Sequence, residues 1–355
     1  TILTAFFGMT LKFVEVSLGH KYRVIHKDGT VSGGAIRYLS KGLGDKGFPR
    51  LGSFLALFFA ICCIGGSFGG GNMFQANQAF QQIVEATGGD NSPLYGKGWL
   101  GGTIFAIIVG FIIIGGIKSI GKVTERLVPF MGLVYVVSCL LIILSNFEQI
   151  PDALFKVFQS AFSFDATTGG VLGSMIAGVK RAVFSNESGV GNAPMYHGQS
   201  QSKNGTDEGL VAMLGPLLDT ILVCTITGLV VIISGAYKVE NLNGIVLTLE
   251  AFRRLFFGLG DILLLLMVFV FGISTLFTYS YYGVKCFGYL TKLSWGKYYN
   301  YFYVISIVFS ALATVDIVVG IIDLSFALMC IPNMIAIIYL SAYVNTEMQK
   351  RKWIK

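Results

Sequence analysis

The stretch RAVFSNESGVGNAP, Arg181–Pro194, decides how the whole chain folds. It sets Arg, Ser, Asn and Glu beside two glycines in a sequence that is 54% hydrophobic. A continuous lipid-facing helix would bury Asn186, Glu187 and Asn192 in hydrocarbon, where even lenient scales charge about 2.5–3.5 kcal/mol for a central carboxylate. Gly189 and Gly191 weaken such a helix further, by roughly 1 kcal/mol each. A broken helix resolves both problems. GVLGSMIAGVKRAVF forms a first half, SNESGVGN an unwound hinge, and Asn192 with Pro194 the cap and first turn of a second half. Irregular backbone at membrane depth is tolerated only against protein or a water-filled cavity, so a break there marks a site. Freed N–H groups suit an anionic group and freed carbonyls a cation. The alternative is an ordinary polar loop at the end of a span, with Glu187 at the interface.

The rest of the chain has a membrane composition. Mean hydropathy is +0.70. Only 13% of residues are charged, against roughly 25% in soluble domains. Nine apolar stretches have about the length a helix needs to cross: 1–19, 51–84, 100–118, 127–146, 171–200, 209–236, 259–284, 298–316 and 322–344. The net charge of +7 does not point to nucleic acid, because the basic residues segregate by loop. With residues 20–50 taken as cytoplasmic, alternation puts 18 Lys and Arg inside and 5 outside. That asymmetry orients the chain, with the C-terminal tail MQKRKWIK cytoplasmic and near anionic headgroups. The six cysteines lie in apolar runs without CxxC spacing and read as packing residues.

Two further polar islands lie inside spans. In GGSFGGGNMFQANQAFQQ (65–82), a regular helix would place Asn72, Gln75, Gln78 and Gln82 on one face. Two G-x-x-x-G spacings upstream permit close helix contact. For Gln78 and Gln82, glue between helices competes with a role in a site. In FGISTLFTYSYYG (271–283), Ser274, Thr275 and Thr278 offer hydroxyl oxygens to a small cation, although such hydroxyls commonly bond back to their own helix. Lys12 and Glu15, at i and i+3, neutralise one another. Pro332 is expected to kink its helix. His20, His26 and His197 lie near interfaces without a ligand set, and neither a nucleophile paired with a base nor a phosphate loop is visible.

FFGMTLKFVEVSLGHKYR, GGSFGGGNMFQANQ, GGIKSIGKVTERLVPFMGLVYV, RAVFSNESGVGNAPMYHG and SYYGVKCFGYL resemble, in that order and over essentially the whole chain, the alanine or glycine:cation symporter family. FSNESGVGNAP differs from the family's usual F-S-N-E-A-G-x-G-S-A-P at Ser188 and Asn192, both changes small and polar. The resemblance implies an all-α integral membrane protein with a leucine-transporter-like inverted repeat, the nine spans being core helices two to ten of a single transporter domain. The family's G-T-G-N-I-A-G segment, its first core helix, is not in this sequence, which therefore reads as truncated at its N-terminus and lacking half of the expected site. The resemblance also implies the site residues: Phe184, Ser185, Asn186, Glu187, Gly189 and Gly191, with Asn72 and Gln75, for substrate. Ser274 and Thr275, with Thr278 weaker, are implied for sodium. The expected activity is sodium-coupled symport of a small neutral amino acid, alanine or glycine, by alternating access in a bacterial inner membrane. Proton coupling and an ion channel are the alternatives. A membrane enzyme is disfavoured by the scarcity of histidine and of paired intramembrane carboxylates.

Overall fold

The computed structural model describes every residue except 28, 163–169, 240, 241, 243, 257, 352, 354 and 355, and only the backbone of 161, 162 and 170–172. Lys352 and Lys355 of the basic tail thus lie outside the described residues. The fold is helical, with one small antiparallel hairpin, Val24–Ile25 against Val31–Ser32.

Each of the nine expected spans overlaps a helix among the described residues. Six are long and apolar enough to cross a membrane. These are α1 (Ile2–Lys21), α2 (Pro49–Ala86), α4 (Gly116–Ser145), α8 (Gly205–Ser234), α10 (Gly260–Leu290) and α12 (Val315–Lys350). The other three are shorter: α3 (Gly98–Ile113), α6 (Gly170–Asn186) and α11 (Tyr299–Ser310). Two amphipathic helices, α5 (Ile150–Phe162) and α9 (Ile245–Leu255), fall between the expected spans. Neither has the length or the unbroken apolar run that marks a crossing helix.

α10 touches all three apolar clusters of the core. Its last turns pack with α1, α2 and α12 through Tyr281, Phe59 and Phe326. Its middle meets α3 and α11 through Phe277, Phe105 and Tyr303. Its start joins α4, α8 and α9 around Tyr135 and Phe252. Large apolar side chains also cover the outside, Phe111 being 82% exposed. A surface of that kind is at home in lipid rather than in water.

The glycines of α2 work as close-contact points. A Cβ on Gly71 would run into the Tyr279 side chain, and one on Gly69 would lie 2.9 Å from Ile321. The same stretch, Ser67–Met73, is wound as a π-helix, as is Leu217–Cys224 in α8. π-segments inside α-helices recur at functional sites. α12 runs unbroken through Pro332.

Candidate functional site

The helix break predicted at 185–192 is present, starting two residues later than expected. α6 continues through Asn186, and the next helix, α7 (Pro194–His197), is a single turn opened by Pro194. Between them Glu187, Gly189 and Gly191 have φ of 54°, 80° and 88°. The N-cap is Ala193, not Asn192. Asn192 instead accepts the Ala193 N–H on its side-chain oxygen at 2.9 Å. Every residue from Ser188 to Met195 is buried, so the break is enclosed by protein and is not a loop at the surface.

Three polar groups hold it. Asn333 of α12, fully buried, donates from Nδ2 to the Gly189 carbonyl at 2.7 Å and to Glu15 Oε2 at 3.0 Å. It accepts the Tyr38 hydroxyl on Oδ1. Glu187 accepts hydroxyls from Tyr279 and, at 3.4 Å, from Tyr282, both on α10. Ser185 donates to Asp219 Oδ2 in the π-stretch of α8, and Thr220 donates to the same oxygen at 3.2 Å.

α1 closes the remaining side. Lys12 and Glu15 pair at 3.8 Å, as expected, but both are buried, and the Lys12 ammonium also acts on Glu187 and Asp219. Among the described residues, Asn186 Nδ2 and Ser188 Oγ are buried without hydrogen-bond partners. A Cβ on Gly8 of α1 would lie 3.0 Å from that serine hydroxyl and 3.6 Å from that amide. Both groups therefore face the α1 side that carries Lys12 one turn along. Two orphaned polar groups in a buried break call for a partner, since such groups are normally paired.

At one end of the break, Phe184 packs against Phe74 and Phe326 with ring centroids 5.2 and 6.1 Å apart. Arg181, one turn earlier, forms a two-pronged ion pair with Asp323 of α12 at 2.7 and 2.9 Å.

The structure does not gather every expected residue here. Asn72 is committed to α11, donating to the Tyr303 carbonyl and to Ser306, both at 2.9 Å, and accepting from Ser310. Gln75 donates to the Gly70 carbonyl of its own helix at 3.1 Å. Gln78 accepts the Ile245 N–H at 3.2 Å, an interhelical link, while the Gln82 amide is buried without a partner among the described residues. Ser274 and Thr275 both donate to the Phe271 carbonyl at 2.9 Å, and Thr278 to that of Thr275. Their hydrogens are thus occupied while the oxygen lone pairs remain available. His20, His26 and His197 have hydrogen-bond partners, Glu208 pairing with His197 at 2.6 Å. Among the described residues no cluster of metal-binding side chains forms, and the six cysteines are unpaired.

Sequence reasoning missed Asp219, Asn333, Tyr279 and Tyr282. Asp219 had a signal, a lone carboxylate in the apolar run PLLDTILVC. Asn333 was hidden behind its neighbour Pro332.

The two hinge glycines differ in surroundings, which gives a first prediction. Alanine at either position is strained by a positive φ, at roughly 1 kcal/mol. At Gly191 the new Cβ would also lie 2.9 Å from Asn333 Cγ and 3.0 Å from the Ala35 Cβ, whereas at Gly189 the nearest atom is Leu11 Cδ1 at 3.4 Å. Overpacking of this kind adds about 1–3 kcal/mol. Gly191→Ala should therefore lower the thermal unfolding temperature of the purified protein clearly more than Gly189→Ala, and equal shifts would contradict the packing described.

A family model described as the sodium:alanine symporter family matches residues 1–353. The chain is 39% identical over 349 residues to the sodium/alanine symporter AgcS of Methanococcus maripaludis, an alignment covering 97% of this chain and 75% of that one. An uncharacterized transporter of Haemophilus influenzae is 34% identical, with 97% and 74% covered. The probable sodium/glutamine symporter GlnT of Bacillus subtilis is 32% identical, with 98% and 70% covered.

Proposed function

The chain belongs to the sodium:alanine symporter family, and from that premise we propose that it carries a small neutral amino acid, alanine or glycine, together with sodium by alternating access about the break at 187–193. Cation-coupled amino-acid symport by a multi-pass membrane protein is the family's property; substrate size, mechanism and site are this proposal. The observation that carries it is the enclosed break itself, where helix-end dipoles and two unpartnered polar groups meet inside an apolar helical body. The leucine-transporter-like arrangement, in which the three shorter helices also cross, fits such a site, as does a C-terminus on the cytoplasmic side of a bacterial inner membrane.

In this reading Phe184, Ser185, Asn186, Glu187, Gly189 and Gly191 line the amino-acid site. Gln75 stands beside it, and Asn72 fixes α11 behind it. Sodium is held by lone pairs of Ser274 and Thr275, with Thr278 one turn on. Asp219, with Ser185 and Thr220, supplies further hard oxygens beside the break. One sodium entering down about 100 mV releases roughly 2.3 kcal/mol. At 1.4 kcal/mol per tenfold, that supports about fortyfold accumulation. A single ion is a sufficient engine before any concentration gradient is added.

Thr275→Val tests the ion assignment. It keeps the side chain's shape and removes the oxygen. A threonine bonded only to Phe271 O should tolerate the change, since hydrogen bonds between membrane helices average about 0.6 kcal/mol. A sodium ligand should not. The expected result is at least a tenfold rise in the sodium concentration for half-maximal alanine uptake, with Ser274→Ala similar or milder. An unchanged sodium requirement in both variants removes the pair from the ion site. Proton coupling would instead show as uptake driven by a pH gradient without sodium.

A further inference from the structure

The connection between α1 and α2 folds back against the last turns of α10 and forms with them a partly open pocket of about 180 Å³. Its lining includes His26 and Ser32 from the hairpin, Arg37 from the helical turn Ala35–Arg37, and Lys285 and Tyr289 from α10. Among the described residues, the lining carries no acidic side chain. Three of its side chains are basic, His26, Arg37 and Lys285.

Arg37 is the informative member. Other arginines of the described structure find acceptors: Arg23 bonds the Gly198 and Ser200 carbonyls, and Arg181, Arg253, Arg254 and Arg351 pair with carboxylates. Arg50 and Arg126 do not, but both are exposed. Arg37 is partly buried and, among the described residues, has no hydrogen-bonded acceptor. Burial holds its guanidinium below the ordinary arginine pKa, only the Tyr289 hydroxyl opposing that effect. A desolvated cation without an anion is costly, and a guanidinium fork matches the oxygens of a phosphate. Around it, Ser32 Oγ bonds His26 Nε2 at 2.9 Å, and Lys285 donates to the Val31 carbonyl at 2.8 Å, so the walls are held in place.

We infer that this cavity binds a phosphate group, with Arg37 as its principal contact and Ser32, His26 and Lys285 around it. Basic pockets at the membrane surface take anionic lipid headgroups, and a free phosphate offers the same chemistry. Occupancy bears on the transport machinery through Gly33, whose Cβ position lies 3.2 Å from Gly198 Cα and 3.4 Å from the Pro194 carbonyl. The hairpin wall thus abuts α7, the second half of the broken helix.

The test is binding, independent of whether the protein transports. Detergent-purified protein is titrated with inorganic phosphate, with dihexanoyl phosphatidylglycerol and with dihexanoyl phosphatidylcholine, and thermal unfolding is followed. A rise in unfolding temperature with phosphate and phosphatidylglycerol, half-complete at a concentration at least tenfold higher in Arg37→Gln, supports the site. A response to phosphatidylglycerol alone identifies a lipid as the source, and one to inorganic phosphate alone a free anion. Should Arg37→Gln fail to fold, Arg37→Lys and Ser32→Ala are expected to weaken the same response. No response to either phosphate compound, or one that is unchanged in every variant or as strong with phosphatidylcholine, overturns the inference.

Discussion

Asn333→Ala is expected to lower sodium-driven alanine uptake at least a hundredfold at normal membrane levels of the protein. The side chain serves three groups at once, and its loss strands all three: the Gly189 carbonyl, Glu15 Oε2 and the Tyr38 hydroxyl. A buried polar group without its partner costs about 1–3 kcal/mol. Even the low end, summed over three, comes to roughly 3 kcal/mol, or about a hundredfold in population. A purely structural role, in which Asn333 only ties α12 to α1, would also cost stability, so a second variant separates the two. Asn333→Asp alone sets a carboxylate against Glu15 and should destabilise. Combined with Glu15→Gln, the 15–333 hydrogen bond returns with its donor and acceptor exchanged, and Tyr38 keeps its acceptor. Only the Gly189 carbonyl still lacks a donor. The double variant should therefore regain most of the unfolding temperature that Asn333→Ala loses, the stranded carbonyl accounting for the rest, yet remain at least tenfold impaired in uptake. Recovery of both properties would show that Asn333 has no part in setting the hinge.

How much of this could be read from residues alone follows from what each signal depends on. Hydropathy located the long helices because crossing length is fixed by helix rise, and a charge or proline cannot hide 20 apolar residues. The break was legible because Gly189, Gly191, Asn186 and Glu187 oppose a lipid-exposed helix on two independent grounds, backbone preference and desolvation. Its start slipped by two residues because Ser185 and Asn186 remain compatible with a last helical turn. The polar face drawn through Asn72, Gln75, Gln78 and Gln82 assumed 100° per residue. The π-winding of Ser67–Met73 changes that angle, and Asn72 turns to α11 while Gln75 bonds its own helix. No local pattern announces such a segment. Asn333 and Tyr279 gain their meaning only from tertiary packing, more than 90 residues from the partners they meet in the break. Asp219 could have been found: a carboxylate among Pro, Leu and Ile in a crossing helix calls for an explanation wherever its partners lie.

Glu187 gives the second large effect, and its backbone makes the test unusually clean. Its φ of 54° is the only positive value among the described residues other than glycine. An L-residue in that region is strained by about 1–2 kcal/mol, which glycine would relieve. The chain nevertheless carries glutamate there, between two helical pieces and two residues before Gly189. Its carboxylate accepts the Tyr279 and Tyr282 hydroxyls and lies within the field of Lys12. Hydrogen bonds to a charged group contribute about 1.5–3 kcal/mol each. Removing one partner from a buried charge cluster leaves the other uncompensated, at roughly 3–5 kcal/mol. Two variants then separate backbone from side chain. Glu187→Gly relaxes the dihedral and deletes the carboxylate, whereas Glu187→Gln keeps the strain and the shape but removes the charge. If the carboxylate orders the break against α10 and balances Lys12, both variants should lose at least about a hundredfold in alanine uptake, equivalent to about 2.8 kcal/mol. Glycine should do no better than glutamine despite its easier backbone. Near-normal uptake by Glu187→Gly, measured beside its thermal unfolding, would mean that the break needs only a residue able to adopt the left-handed conformation, and that the carboxylate has no role in transport.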